Sequence, residues 1–269
     1  MKPIETTLLR EPRGVLSLTG GGGKTSLMFY LAQQLSRVGK RVLTTTTTKI
    51  FYPTAEQSEK VLVDSDPESI LQQVTSQHHC NHITAASELL ANDSKRLQAN
   101  GSKLKGFSSA AIDLFAKSGH FDWIIVEADG SARRPLKAPA EHEPVIPANT
   151  TVLVAVAGLE VLGCPLSEDI VFRSELAGAL MGISTGETIT ESALVNLFNH
   201  PLGAFKDAPG QAHRFIFLNK ADDLKRRDAA ARIAALLCHN PQTVAESLLV
   251  GQALNGIDIH AEYPLTHTP

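Results

Sequence analysis

The sequence predicts an α/β fold: a mainly parallel sheet with helices on both faces, of the kind that carries a phosphate-binding loop. Three observations lead there. Short apolar runs alternate with stretches of helical periodicity along most of the chain. Three of those runs end in chemistry rather than in a plain turn. Val15–Leu18 leads into Gly20-Gly21-Gly22-Gly23-Lys24-Thr25, Trp123–Val126 into Glu127-Ala128-Asp129, and Phe215–Leu218 into Asn219-Lys220-Ala221-Asp222. With 269 residues and 43% hydrophobic content, the chain can bury a sizeable core. We expect one domain over 1–269, with a small helical insertion around 160–205.

Composition narrows the function. A net charge of −3 gives no bulk attraction to nucleic acid. No apolar run reaches membrane-spanning length, and Met1-Lys2-Pro3-Ile4-Glu5 has no apolar signal core. Cys80, Cys164 and Cys238 are odd in number, scattered, and without metal-ligand spacing. A cytoplasmic protein with no membrane and no nucleic-acid partner is the expectation, its cysteines acting as small hydrophobes. Cys164, between Gly163 and Pro165 in a predicted turn, is the one to check for reactivity.

The first strand is Val15–Leu18. Glycines after it let the backbone turn with positive φ and bring N–H groups close to a ligand. The helix that follows begins with unpaired N–H groups and a partial positive charge, so the turn is an anion site. Gly20, Gly21, Gly22, Gly23, Lys24, Thr25 and Ser26 are the candidate phosphate contacts, with Lys24 reaching the β- and γ-phosphates and the Thr25 hydroxyl holding Mg²⁺. The pattern G-x-x-x-x-G-K-[ST] asks for a glycine where Leu18 stands, so Gly20 and Gly21 are expected to make the turn. A bare glycine run is usually a linker; the strand before it and Lys-Thr plus a helix after it argue otherwise.

Leu27, Leu31, Leu35 and Val38 give that helix its apolar stripe, and Gly39 ends it. The second strand, Arg41–Thr46, runs into threonines that continue to Thr48, then Lys49. Threonine suits strands, but Thr48 and Lys49 overrun the strand end, where open α/β sheets bind ligands. Val61–Val63 reads as a strand and Pro67–Val74 as a helix opened by Asp66. His78, His79 and His82 around Cys80 fit no zinc spacing and read as surface or loop histidines. Ile83–Ala86 is a further strand, Asn92–Gly106 a mobile polar loop, and Ser108–Ser118 a helix.

The apolar strand at 123–126 ends in Glu127 and Asp129, two positions apart and so on one side of an extended chain. Phosphoryl-transfer sites place a carboxylate there for Mg²⁺ or for the attacking water. We assign Lys24, Glu127 and Asp129 as catalytic, with Asp129 on the metal with Thr25 and Glu127 on the water. The proline-stiffened, mixed-charge stretch 131–144 suits a substrate or partner, through Arg133, Arg134, Lys137 and His142. Thr151–Ala157 is a central parallel strand. Residues 167–198 look helical with a break at 182–187, 201–210 is a loop, and Phe215–Leu218 is the next strand.

That strand ends in N-K-x-D. An aspartate there accepts from guanine N1–H and the 2-amino group, which adenine lacks. Asn219, Lys220 and Asp222 are therefore candidate base contacts, favouring GTP over ATP. A helix follows over 226–238, then Leu248–Gly251 as the last strand and a frayed end over 262–269.

Taken together, Thr19–Thr25, Thr45–Lys49, Val126–Ser131, Pro135-Leu136-Lys137-Ala138-Pro139, Glu141-His142-Glu143-Pro144 and Asn219–Asp222 resemble the P-loop NTPases. More narrowly they resemble the selenium-dependent molybdenum hydroxylase accessory family of the YqeC type. The resemblance covers about 13–250, and its Glu-Ala-Asp-Gly-Ser and Leu-Lys-Ala-Pro segments are far more specific than the glycine loop. It implies a Mg²⁺- and nucleoside triphosphate-dependent role in maturing molybdenum hydroxylases or their cofactor machinery. No spacing in the chain indicates selenium or molybdenum chemistry, and no paired cysteines stand ready to carry a chalcogen. Three functions fit the residues: a nucleotide hydrolase, a small-molecule kinase, and a non-catalytic nucleotide-gated binding module.

Overall fold

Successive side chains of the strands point to opposite faces of the sheet, and both faces are covered, which divides the core in two. A computed structural model describes residues 4–77, 79–90, 101–253 and 258–265. Among them the chain runs α1 (Ile4–Leu8), β1 (Gly14–Gly20), α2 (Lys24–Arg37), β2 (Val42–Thr46), β3 (Lys49–Phe51) and β4 (Lys60–Val63). Then come α3 (Pro67–Thr75), β5 (His82–Ala86), β6 (Glu88–Leu90), β7 (Lys103–Lys105), α4 (Ser109–Lys117) and β8 (Trp123–Glu127). After these lie β9 (Leu136–Lys137), β10 (Val152–Gly158), a 3₁₀ turn (Leu159–Val161) and β11 (Val171–Phe172). The remainder is α5 (Ser174–Met181), α6 (Glu191–Asn199), β12 (His213–Asn219), α7 (Leu224–Cys238), β13 (Ser247–Gln252) and β14 (Asp258–Pro264).

Nine strands of the described residues form one sheet in the order β14-β13-β12-β10-β1-β8-β2-β5-β4. Every pairing is parallel except β13 with β14. Parallel strands covered on both faces favour near-continuous apolar runs, and all seven residues of β10 are buried. On one face Leu16, Leu18, Trp123, Ile125 and Val154 pack against α1 and α2. On the other, Val15, Leu43, Ile124 and Val126 meet α3 and α4, while Ile216, Leu218 and Leu248 meet α5, α6 and α7. Each buried aliphatic side chain contributes ~1.5–3 kcal/mol. Two smaller sheets, β3-β7-β6 and β9-β11, flank the main one.

Several elements differ from the sequence reading. Residues 167–198 hold two helices, α5 and α6, but Val171–Phe172 is a strand paired with β9, so the helical reading begins too early. Leu248–Gly251 lies in β13 but is not the last strand; β14 returns antiparallel beside it and takes in Glu262–Pro264. The frayed reading therefore fails there, and 266–269 lie outside the described residues. The loop expected over Asn92–Gly106 contains β7, because Leu104 is apolar, fully buried, and opposite Ile50. Residues 91–100, with Lys95 and Arg96, lie outside the described residues, as does His78. His82 is no surface histidine: it is 2% exposed in β5.

That histidine carries a stability prediction. Its Nε2 lies 3.0 Å from the Thr44 hydroxyl, which lies 2.7 Å from that of Thr84. Burial pulls its pKa down to about 4. The folded value sits below the unfolded one (~6.5), so this stability is complete above pH ~6.5 and is lost as pH falls toward 4. The loss amounts to ~3 kcal/mol. Urea unfolding at pH 7 and pH 4.5 should show His82→Gln losing much less stability over that interval than the wild type; equal losses would place the titration elsewhere.

Candidate functional site

β1 delivers its last residue, Gly20, to the carboxyl edge of the sheet between β10 and β8. The chain then turns with Gly20 at φ +89, Gly22 at +74 and Gly23 at +127. Leu18 lies inside β1 and is fully buried, which is why it cannot be the missing turn glycine. Gly20 and Gly21 stand at the turn for different reasons. Gly21 has no positive φ; it is needed because a Cβ there would come 2.7 Å from Arg134 O and 2.9 Å from Leu136 N. The loop is held by Gly21 N–H donating to Val156 O (2.9 Å) and Gly22 N–H donating to Arg134 O (3.1 Å).

Side chains cap most of the longer helices. Asp66, Ser108, Thr190 and Asp223 serve α3, α4, α6 and α7, and the Glu168 carboxylate takes the first N–H groups of α5. No side chain caps the start of α2, whose N-cap is Gly23. A fourteen-residue helix thus begins with its N–H groups aimed at the mouth of a cleft.

Behind that mouth lies a buried row of alternating charges. Lys24, 3% exposed, donates from Nζ to Gly20 O at 2.5 Å and lies 3.1 Å from Asp129 and 3.8 Å from Glu127. Asp129 also accepts from Gly20 N–H (3.0 Å) and pairs with Lys137 Nζ (3.2 Å). Lys137 continues to Glu143 (2.6 Å), and Glu143 to Arg173 (2.5 Å). Burial alone would lower the Lys24 pKa, but Asp129 and Glu127 beside it raise it overall. Burial pushes Glu127 up, against the pull of Lys24 and the Thr25 hydroxyl. Burial opposes ionisation of Glu143 too, yet Arg173 and Lys137 bring it down to about 2. Three acids and three bases balance, which is what makes such a row tolerable inside the protein.

Thr25 donates its hydroxyl to Glu127 Oε2 at 2.6 Å. The acid beside the loop hydroxyl is therefore Glu127, not Asp129. A hydroxyl and a carboxylate at a phosphate mouth suit Mg²⁺, which keeps most of its waters and takes few protein ligands. Among the described residues no cluster of three His, Cys, Asp or Glu forms a dedicated metal cage.

The cleft beside this row has a volume of about 740 Å³. Gly22, Gly23, Lys24, Thr25, Ser26, Glu127, Lys49, Arg133, Arg134 and Lys220 line it, which brings together most of the residues singled out by sequence. The others lie elsewhere. Lys137, grouped by sequence with the open loop, is 3% exposed and belongs to the buried row. His142 is exposed away from the cleft. The threonine hydroxyls go to protein rather than outward: Thr46 donates to Glu127 O (2.7 Å), Thr47 to Val145 O (3.0 Å), and Thr48 lies 3.2 Å from Thr46. They brace the end of β8.

Asn219 ties the tetrad Asn219–Asp222 to the glycine loop. Its Nδ2 donates to Gly22 O at 2.6 Å, and its Oδ1 accepts from Lys220 N–H (2.8 Å) and Ala253 N–H (2.9 Å). A Cβ on Gly23 would sit 2.2 Å from that Nδ2, so glycine is required there for space as well as for φ. Lys220, at φ +62, pairs with Glu160. Asp222 is half-exposed and accepts from Arg226 (2.9 Å) through Oδ2, which leaves Oδ1 for a ligand. Sequence reasoning passed over Phe51 and Lys103, which line the cleft, and Arg173, which closes the buried row. The alternation Lys49-Ile50-Phe51 was the available signal for the first of them.

A family model described as YqeC protein matches residues 16–175. A protein of Escherichia coli (strain K12) described as "Uncharacterized protein YqeC" is 39% identical over 206 residues, 77% of this chain and 75% of that one. Among solved structures, the crystal structure of FtsY from Mycoplasma mycoides aligns with 92% of this chain at a TM-score of 0.36 and 13% identity. This chain spans 63% of that one's length.

Proposed function

The chain belongs to the YqeC protein family, and on that footing we propose that it is a Mg²⁺-dependent nucleoside triphosphatase, GTP favoured over ATP, that assists maturation of selenium-dependent molybdenum hydroxylases in the cytoplasm. One observation carries the nucleotide reading. The bare start of α2 opens on the cleft with the Thr25 hydroxyl already bonded to Glu127. The N–H groups of Gly23, Lys24, Thr25 and Ser26 receive the phosphates, and Lys24 turns from Asp129 toward them. Mg²⁺, when bound, offsets the charge of the terminal phosphates. Thr25 and Glu127 would hold it, the reverse of the acid assignment made from sequence. Asp129 stays with Gly20 N–H and Lys137, and takes the attacking water as Lys24 leaves.

The guanine preference rests on Asp222 and its Oδ1. Guanine would give that oxygen N–H donors that adenine lacks, and a hydrogen bond to a charged group contributes ~1.5–3 kcal/mol. Wild type should bind GTP at least about tenfold more tightly than ATP. Asp222→Asn should lose GTP and gain XTP, whose 2-carbonyl meets the new amide donor. Titration calorimetry with all three nucleotides checks this; equal GTP and ATP affinities with no move toward XTP would assign adenine.

A kinase is the second reading, and the six lysines and arginines lining the cleft favour it, since they leave room for a charged acceptor. Free phosphate from nucleotide alone supports the hydrolase, and phosphate on an added metabolite supports the kinase. The maturation role rests on the family resemblance. No cysteine lines the cleft, so the chalcogen would belong to the hydroxylase or its machinery, and nucleotide turnover is this chain's part.

A further inference from the structure

We propose that the cleft holds a second ligand beside the nucleotide: a small, multiply charged anion, such as a phosphate ester or polycarboxylate, bound by Lys49, Lys103 and Arg133. This rests on the nucleotide reading, because it concerns the part of the cleft that a nucleotide leaves open.

The strand order sets the geometry. β10 and β12 lie on one side of β1, and β8 and β2 on the other. Adjacent strands are ~4.8 Å apart. The tetrad that follows β12 and the segment that follows β2 therefore stand about 10 Å to either side of the phosphate loop. A nucleotide reaching from the loop to Asp222 occupies the β12 flank. Its terminal phosphate points to the β2 flank, where Lys49, Phe51, Lys103 and Arg133 line the cleft.

These residues form an assembled group. Phe51 and Lys103 are direct cross-strand partners in β3 and β7. The Lys103 ammonium lies 5.1 Å from the Phe51 ring centroid, and the Arg133 guanidinium 4.5 Å. Phe51 is 37% exposed, and its apolar ring would not otherwise face water between two cations. Arg133 reaches it through two successive left-handed residues, Ala132 (φ +48) and Arg133 (φ +64). Neither is glycine, so strain is tolerated to aim the guanidinium here. Among the described residues no carboxylate lies within salt-bridge distance of Lys49, Lys103 or Arg133, whereas the neighbouring Lys105 is paired with Glu88. Among the described residues Glu127 is the one acid lining the cleft, and it is engaged by Thr25. Three cations without a carboxylate partner among the described residues, two of them seated on the Phe51 ring, attract more than one negative charge.

The test has two stages. Protein is first titrated with a non-hydrolysable GTP analogue and Mg²⁺, which examines the nucleotide reading alone. Saturated protein is then titrated with pyrophosphate. Wild type should bind one further pyrophosphate. Lys103→Gln combined with Arg133→Asn should weaken it about tenfold or more; asparagine is chosen because it accepts left-handed backbone. Phe51→Leu should weaken it less, through disordered cations. Circular dichroism and melting of each variant check folding. No pyrophosphate uptake by nucleotide-saturated wild type, or equal uptake by the double variant, overturns the second site. A double variant that loses the GTP analogue as steeply as pyrophosphate also overturns it, because the cations then serve the nucleotide. Pyrophosphate binding that needs Lys103 and Arg133 in a protein that binds no nucleotide overturns the nucleotide reading and leaves the anion subsite standing.

Discussion

Lys24→Ala should lose at least about two decades of nucleotide affinity and also lower the melting temperature. The affinity loss follows from removing a charged donor from a closed phosphate site, ~1.5–3 kcal/mol for each bond it makes. The stability loss has a separate cause. Lys24 lies between Glu127 and Asp129 with 3% of its surface exposed. Without it two carboxylates face each other in a buried place, and breaking such a pair costs ~3–5 kcal/mol. Asp129 keeps Lys137 and Gly20 N–H, so Glu127 is the group that must take up a proton. Burial already pushes its pKa up, and the variant removes the main opposing charge. Melts at pH 6 and pH 8 separate the effects. The variant should lose stability as pH rises, because the unfolded Glu127 is ionised at both values and the folded one resists ionisation. Calorimetry well below the melt then reads affinity alone. A Kd within twofold of wild type would sink the phosphate-loop assignment.

Glu127→Gln should reduce Mg²⁺-dependent turnover at least about 10–100-fold, the loss expected when even a carboxylate that only orients a metal ligand is removed. Nucleotide binding without Mg²⁺ should hold, since the loop N–H groups and Lys24 remain. The amide is isosteric and still accepts the Thr25 hydroxyl that the structure places 2.6 Å from Glu127. What it lacks is charge. Excess Mg²⁺ should therefore recover part of the Glu127→Gln activity and none of the loss in Asp129→Asn. If Mg²⁺ rescues Asp129→Asn instead, the two acids have the roles first read from sequence.

Much of the fold was legible because its signals are local. Apolar strands such as Val152–Ala157 need no partner to be read, since burial on both faces favours a continuous apolar run. The cap at Asp66 was legible for the same reason: its side chain reaches only two or three residues ahead. The signals failed where pairing is long-range. β14 is recognisable only beside β13, β7 only beside β3, and the two-residue strand β11 only beside β9. None has a pattern of its own long enough to outweigh a loop or helix reading.

The candidate site divides the same way. By itself the sequence determined its chemistry: a glycine turn ending in Lys24 and Thr25, a strand ending in Glu127 and Asp129, and the tetrad Asn219–Asp222. Those are fixed by residue type and spacing along one strand and its exit. Only the tertiary structure decided how they are shared out. It joined Thr25 to Glu127, buried Lys137 in a row with Glu143 and Arg173, turned the threonine hydroxyls onto the end of β8, and brought Phe51 and Lys103 to Arg133. The physical reason is that charge pairing and hydroxyl donation act across a few ångströms of space, while the residues involved lie up to about a hundred positions apart in the chain; Thr25 and Glu127 are separated by 102.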